Sequence, residues 1–256
     1  MTGAAPVRAS APHESPSMRT LLCLCTGLVL GLSAFRPGSV QGREQHAAPE
    51  ATLDPLERLR AGNQRYQSGK AAHFDQDAER RKDLAREQHP YALIVGCSDS
   101  RVPPEIVFDQ GLGELFVVRT AGEALDELAL ASIEYAVEHL DVRTIVVLGH
   151  ERCGAVTAAL QGGDLPGHLE SLVRALQPHV EGARRRIPAA EKGRAPVLAP
   201  ELVDAAVLEN VRAVVAELED CQPILSELRR IGELRVVGAR YDLDSGAVDW
   251  LPAPPH

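Results

Sequence analysis

The sequence predicts an α/β domain with a central, mainly parallel β-sheet flanked by helices, and with N-terminal helices available for dimerisation. Short, almost continuous apolar runs recur along the chain, which is the pattern of strands buried on both faces. Longer amphipathic segments, typical of helices, alternate with these runs. Strand–helix–strand alternation indicates a parallel sheet, because parallel strands require a crossover connection.

The first predicted elements are two helices. The segment "LDPLERLRAGNQRYQSG" has a start signal at Asp54–Pro55 and a stop signal at Gly69. The charged stretch "DQDAERRKDLAREQ", residues 75–88, predicts a second helix. Both precede the first buried strand.

Three apolar runs predict the centre of the sheet. They are "YALIVGC" (91–97), "ELFVVRT" (114–120) and "RTIVVLGH" (143–150). Four helices are predicted at 125–140, 153–162, 200–221 and 221–232. The segment 164–199 is predicted to contain a helix and an exposed loop. An edge hairpin is predicted at 234–251, with its turn at Ser245–Gly246.

The N-terminus is predicted to be a secretory signal peptide. Thr20–Phe35 contains no charge and follows Arg19, which is the order of a basic start, an apolar centre and small residues. This run is short for a membrane span of roughly 20 residues, although an uncleaved anchor stays an alternative. We expect export to the periplasm after cleavage. The predicted segments are an extension with signal peptide (1–42), a linker (43–53), one domain (54–251) and a tail (252–256).

The composition is that of an ordinary globular protein, with 45% hydrophobic and 25% charged residues. The net charge of -9 argues against a nucleic-acid partner, because phosphate binding requires a basic face. Aromatic residues make up only 4% of the chain, which leaves few platforms for stacking bases. We expect no membrane contact apart from the signal segment.

Two motifs follow predicted strands and predict a metal site. Cys97 ends the first apolar run, and His150 ends the third, with Cys153 three residues later. The carboxyl ends of parallel strands form the crevice in which ligands bind, so these side chains can converge there. Two thiolates, one imidazole and an open fourth position form a catalytic zinc site. Soft sulfur ligands favour zinc over magnesium or calcium, and we expect one zinc ion per chain.

Asp99 and Arg101, in "CSDSR", fit a water-activating role at such a site. Zinc lowers the pKa of a bound water toward neutrality. Asp99 can accept a hydrogen bond from this water, or it can take the fourth zinc position and close the site. Arg101 decides between these states, because a two-pronged guanidinium–carboxylate pair holds Asp99 off the metal.

Each motif also has a simpler interpretation. The His150–Cys153 pair alone is compatible with a core or loop position, and "CSDSR" alone with a turn and a solvated salt bridge. A Cys97–Cys153 disulfide after export is a further alternative. Cys221 is interpreted as a packing thiol. The two motifs together, each at the end of a buried strand, favour the metal site.

"CSDSR" at 97–101, followed by "GHERCGAV" at 149–156, resembles the β-class carbonic anhydrases, and the resemblance extends from about Leu56 to Leu251. It implies zinc-dependent reversible hydration of carbon dioxide to bicarbonate and a proton by zinc-bound hydroxide, the carbonate dehydratase reaction of a lyase. The matching zinc ligands are Cys97, His150 and Cys153, and the matching catalytic dyad is Asp99 and Arg101.

The resemblance also implies substrate-binding residues and an assembly. Gln88 matches a glutamine that hydrogen-bonds substrate, Gly154 offers its backbone N–H, and Phe116 lines the substrate pocket. A homodimer or homotetramer is implied, with active sites close to the subunit interface.

The chain departs from the family pattern at two places. Residues 119–123 read "RTAGE" where the family often has "RNAGN", so Glu123 leaves the detail of this loop open. A bicarbonate-inhibited subgroup carries a tryptophan at the position of Ile94. We therefore predict no inhibitory anion site and a ground state in which Asp99 is paired to Arg101.

Two alternative functions stay open from the sequence. The same zinc scaffold also occurs in enzymes that hydrolyse carbonyl sulfide or carbon disulfide, and the zinc motif does not separate these substrates from carbon dioxide. A non-catalytic exported zinc-binding protein is the other alternative, but it leaves Asp99, Arg101 and Gln88 without a role.

Overall fold

The structure is a computed structural model that describes residues 52–163, 165–185 and 198–252. These residues belong to one compact unit, residues 44–256. The predicted signal peptide, nearly all of the predicted linker and most of the predicted tail lie outside the described residues.

A five-stranded sheet forms the centre, in the order β2-β1-β3-β4-β5. The first four strands pair in parallel, and β5 pairs antiparallel with β4 through the hairpin at 242–247. Every residue of β1 and β3 is buried, which explains their continuous apolar sequences. The predicted parallel sheet and edge hairpin are thereby confirmed. The strands are β1 (Ala92–Cys97), β2 (Leu115–Thr120), β3 (Thr144–His150), β4 (Arg235–Tyr241) and β5 (Val248–Trp250).

Helices connect and cover the strands. The helices are α1 (Pro55–Gln67), α2 (Ala78–Asp83), α3 (Pro104–Val107), α4 (Glu127–His139), α5 (Gly154–Gln161), α6 (Leu169–Leu176), α7 (Glu181–Arg184), α8 (Pro200–Asp220) and α9 (Ile224–Arg230). The charged stretch at 75–88 forms only the short helix α2, because none of its helical residues is buried. Helix α3 was not predicted; its four residues are too few for a periodic pattern.

The core has two layers, one on each face of the sheet. Alternate residues of a strand point to opposite faces, so Ala92 and Ile94 pack in one layer, whereas Leu93 and Val95 pack in the other. Helix α8 contributes to both layers. No helix within the described ranges combines the length and apolar character needed to cross a membrane.

Gly149 sets the distance between α8 and the carboxyl end of β3. A Cβ atom at this position would lie 2.4 Å from Cγ2 of Val211, a contact that real side chains do not make. Glycine therefore allows α8 to pack directly on the strand that ends in His150.

Candidate active site

Cys97, His150 and Cys153 meet at the carboxyl edge of the sheet. Cys97 is the last residue of β1, His150 is the last residue of the neighbouring strand β3, and Cys153 precedes the first residue of α5. One ligand atom from each side chain lies within 4.8 Å of the other two, and all three residues are buried. The three predicted ligands thus form a group that could hold a metal ion.

The chemistry of this group fits a metal. His150 Nδ1 lies 2.8 Å from the carbonyl oxygen of Glu151, which only accepts, so Nδ1 carries the hydrogen and Nε2 presents a lone pair. Nε2 is buried and has no hydrogen-bond partner among the described residues. Buried polar atoms normally have partners, and a metal ion would supply one here. The structure contains Cys97 and Cys153 as free thiols, so the disulfide alternative is wrong for this structure.

The two buried thiols shift each other's pKa in opposite directions. Hydrogen bonding with Cys153 lowers the pKa of Cys97, and His150 and the Gly122 N–H act in the same direction. The same contact raises the pKa of Cys153, and burial raises it further. Cys97 is therefore the more readily ionised thiol of the pair, and a metal ion bound here would displace the protons that the two sulfurs still carry.

Arg119 and Gly122 hold Cys97 in place. Arg119 lies on β2 and donates from Nε to the Cys97 carbonyl oxygen at 2.8 Å and from Nη2 to the Asp99 carbonyl oxygen at 2.7 Å. The Gly122 N–H donates to Cys97 Sγ at 3.3 Å. The backbone of the "CSD" segment and the sulfur atom are thus both held by the end of β2 and the turn that follows it.

Asp99 and Arg101 form the predicted pair. Arg101 Nε donates to Asp99 Oδ1 at 2.9 Å, and Nη2 donates to Oδ2 at 2.7 Å. These hydrogen bonds are the largest cause of a lowered pKa of Asp99, which is therefore ionised. Asp99 Oδ2 lies 3.9 Å from His150 Nε2, outside hydrogen-bond distance but beside the metal-binding group. The pairing of Asp99 with Arg101 is confirmed, whereas the catalytic role of the pair stays a prediction.

Gly154 is the first residue of α5 and follows Cys153 directly. It is exposed, and a Cβ atom placed there would have no neighbour within 4 Å among the described residues. A backbone N–H at a helix N-terminus favours negative charge. The position therefore suits a ligand with a negatively charged oxygen.

Gln88 and Phe116 do not join this group within one chain. Gln88 is exposed and lies before the amino end of β1. Cys97 lies at the other end of this strand, which is about 16 Å long at a rise of roughly 3.3 Å per residue. Phe116 pairs with Leu93 in the sheet and packs in the core layer that does not contain Cys97. Its ring lies 6.4 Å from that of Tyr135.

Three polar residues near the site were not predicted from the sequence to belong to it, namely Glu123, His179 and Asn210. Asn210 of α8 hydrogen-bonds to Gly122 and Glu123, and His179 hydrogen-bonds to Asn210. Of these residues, only Glu123 had a sequence signal, namely the departure at the loop "RTAGE". Asn210 lies 88 positions from Gly122, and no local pattern connects them.

The fold and the site define an α/β protein whose mainly parallel sheet presents a Cys–His–Cys group that could hold a metal ion. The sequence profile of the carbonic anhydrase family matches residues 92–248. "Carbonic anhydrase 2" of Mycobacterium tuberculosis is 43% identical over 192 residues, which cover 73% of this chain and 87% of the relative. A carbonic anhydrase of Mycolicibacterium smegmatis is 40% identical over 195 residues, covering 75% of this chain and 89% of the relative.

Solved structures agree with these sequences. A tetrameric β-carbonic anhydrase of Sordaria macrospora superposes with a TM-score of 0.58 at 30% identity, covering 75% of this chain and 91% of that one. The Coccomyxa β-carbonic anhydrase in complex with acetazolamide gives a TM-score of 0.57 at 29% identity, covering 80% of this chain and 86% of that one. The chain belongs to the β-carbonic anhydrase family, as the motifs in its sequence predicted.

Proposed function

We propose that this protein catalyses the reversible hydration of carbon dioxide with a zinc ion held by Cys97, His150 and Cys153. The observation that carries the proposal is the buried, unpartnered Nε2 of His150 beside two free thiols. Membership of the carbonic anhydrase family supports it. The donor set of two sulfurs and one imidazole suits zinc.

Asp99, Arg101 and Gly154 would each have a separate role in this reaction. A zinc ion in this group supplies a water molecule whose pKa is lowered toward neutrality. Asp99, kept ionised by Arg101, is the acceptor beside His150 that takes a hydrogen bond from the attacking water and orients its lone pair. The Gly154 N–H, at the start of α5, would stabilise the negative charge that develops on the substrate oxygen.

Arg101 also controls where the Asp99 carboxylate lies. Its two hydrogen bonds occupy both carboxylate oxygens of Asp99, so the carboxylate is held away from the open metal position. The state with Asp99 paired to Arg101 is therefore the one in which that position is available to water and substrate. Asp99 freed from Arg101 would compete for it.

We also propose that the protein is a homodimer or homotetramer. All six residues of the edge strand β2 are half-buried, although the inner strand β1 is fully buried, so the free edge of the sheet is available for another subunit. The substrate-binding roles predicted for Gln88 and Phe116 require such an assembly, because one chain does not bring them to Cys97. The related enzyme of Sordaria macrospora is tetrameric.

Export to the periplasm is a further proposal, and it rests on the uncharged segment Thr20–Phe35 after Arg19. N-terminal sequencing of the protein from a cell fraction tests it. A new N-terminus near residue 43 in the periplasmic fraction would support export with cleavage. An uncleaved N-terminus, still carrying Thr20–Phe35, in the cytoplasmic fraction would refute it.

Stopped-flow carbon dioxide hydration, with bound zinc counted in the same sample, tests the main proposal. We expect fast hydration with about one zinc per chain. Zinc without hydration would refute the proposed activity, and assays with carbonyl sulfide and carbon disulfide would then test the alternative substrates. The absence of both zinc and activity would refute the metal site.

The shared active site has its own test, which uses mixed subunits. Cys97→Ala subunits lack a metal ligand, and Gln88→Ala subunits lack the predicted substrate contact, so we expect little activity from either alone. Co-refolded mixtures should regain activity if Gln88 of one subunit serves the zinc of another. Mixtures no more active than the two parents would refute the shared site.

A further inference from the structure

The turn Ala121–Glu123 contains the N–H group that donates to the Cys97 sulfur, and two of its residues have positive φ. Gly122 has φ 66°, and Glu123 has φ 55°. Residues other than glycine rarely adopt positive φ. Such a conformation persists only where surrounding contacts hold it. The contacts around this turn therefore decide whether the Gly122 N–H reaches the sulfur.

Asn210 provides those contacts from α8. Its Nδ2 donates to the Gly122 carbonyl oxygen at 2.9 Å and to Glu123 Oε2 at 3.2 Å. Because a carbonyl oxygen only accepts, the amide nitrogen must face Gly122, and the amide oxygen faces His179 Nδ1 at 3.0 Å. His179 therefore donates from Nδ1, and every polar atom of the fully buried Asn210 side chain is used.

Glu123 completes the turn as a buried acid. It is 1% exposed, and its Oε1 has no hydrogen-bond partner in the part of the chain that the structure describes. Burial raises the pKa of Glu123 well above its ordinary value, and the charge of Cys97 adds to this effect. Burial therefore favours the neutral form of this side chain, whose Oε2 accepts a hydrogen bond from Asn210 Nδ2.

The position of Asn210 is set by the packing of α8 on β3. The next residue, Val211, occupies the space that a side chain at Gly149 would need. Gly149 in turn precedes His150. One close helix–strand contact therefore places both His150 and Asn210 relative to the turn.

We propose that Asn210 is a positioning residue of the metal site, which holds the Ala121–Glu123 turn so that the Gly122 N–H stays on the Cys97 sulfur. The inference rests on the proposed role of Cys97 as a metal ligand. A hydrogen bond to a thiolate withdraws charge from the sulfur and fixes its orientation. Removing outer partners of metal ligands weakens metal affinity by roughly 10–100-fold.

The test compares Asn210→Ala with Val214→Ala. Val214 lies one turn further along α8 and is also fully buried, but it packs in the core layer that does not contain Cys97. Zinc affinity is measured by competition with a chelator, and the sulfur-to-cobalt charge-transfer band is recorded on cobalt-substituted protein. Both readouts are independent of turnover.

We expect Asn210→Ala to raise the zinc Kd by roughly 10–100-fold and to move the charge-transfer band to longer wavelength, because the sulfur regains charge. Val214→Ala should lower Tm but change neither readout. Asn210→Asp provides a second test if the alanine variant does not fold, since it keeps the side-chain size and an acceptor for His179 but loses the donor to Gly122. His179→Ala keeps that donor and should retain the zinc affinity.

Asn210 variants with the zinc Kd and the band of the wild type would overturn the inference, even if their Tm falls. A His179→Ala variant as weak in zinc binding as Asn210→Ala would also overturn it, because the donor to Gly122 would then not be the decisive contact. A wild-type protein that binds no zinc would instead refute the proposed metal site itself, so the two failures are distinguishable.

Discussion

Replacement of Arg101 by alanine tests the control of the open metal position. The substitution removes both side-chain hydrogen bonds to Asp99 and leaves the one from the backbone N–H of residue 101 to Oδ1. Asp99 Oδ2 then has no donor from residue 101 and lies only 3.9 Å from His150 Nε2. We expect Asp99 to compete with water for the metal, and the hydration rate to fall while zinc stays bound.

The expected size follows from the geometry of the pair. Hydrogen bonds to charged groups contribute about 1.5–3 kcal/mol when shielded from solvent. The Arg101 side chain is 50% exposed and that of Asp99 is 20% exposed, so screening reduces the pair to about 1–2 kcal/mol in total. This free energy corresponds to roughly a 5–30-fold change in the ratio of open to closed sites. The hydration rate at pH 7 should fall by up to the same factor, which is reached where closed sites predominate in the variant.

Stopped-flow hydration with zinc analysis measures this effect, and Arg230→Ala is the matched control. Arg230 forms the same two-pronged pair, with Glu227, at hydrogen-bond lengths of 2.8 Å and 2.7 Å on the exposed side of α9. Its removal should leave the rate unchanged. Arg101→Lys should lie between wild type and alanine, because lysine keeps the charge but not the planar fork. A wild-type rate in Arg101→Ala would refute the reasoning.

Three further predictions concern the site and the buried acid. Cys97→Ala, His150→Ala and Cys153→Ala should each lose zinc and hydration together, by metal analysis and stopped flow, and an active zinc-free variant would contradict the ligand set. Asp99→Asn should retain zinc yet lose most turnover because the amide is a poor proton acceptor, so full activity would rule out that role. The raised pKa of Glu123 means that the native state keeps a proton that the unfolded chain releases above about pH 4.3, so that the native state loses stability as the pH rises. In urea unfolding, the free energy of unfolding of Glu123→Gln relative to wild type should therefore rise by about 1.4 kcal/mol per pH unit, from about pH 4.5 up to the native pKa of Glu123. Stability curves of the two proteins that run parallel over this range would contradict the raised pKa.

Much of the fold was readable from local pattern. The strands β1 and β3 are continuous apolar runs because they are buried on both faces, and both were predicted to within one residue of their observed ends. The short helix α3 and the shortened α2 were less readable. Their boundaries depend on contacts and caps rather than on a periodic apolar face.

The metal-binding group was predictable for a related reason. Cys97 and His150 each end a parallel strand, and the carboxyl ends of neighbouring parallel strands lie side by side. Asp99 and Arg101 are separated by one residue, so their pairing is also a local property. The prediction of a Cys–His–Cys group with an adjacent ionised aspartate needed only strand order and sequence spacing.

The sequence by itself thus determined the α/β class, the family and the residues that converge at the carboxyl edge of the sheet. Only the tertiary structure decided that Gln88 and Phe116 lie away from Cys97 in the same chain, and that Asn210 of α8 holds the turn whose N–H contacts the Cys97 sulfur. The physical reason is the separation in sequence between the residues that make contact. Spacing within a strand or turn specifies local geometry, whereas a contact between residues 88 positions apart depends on how a helix packs on the sheet.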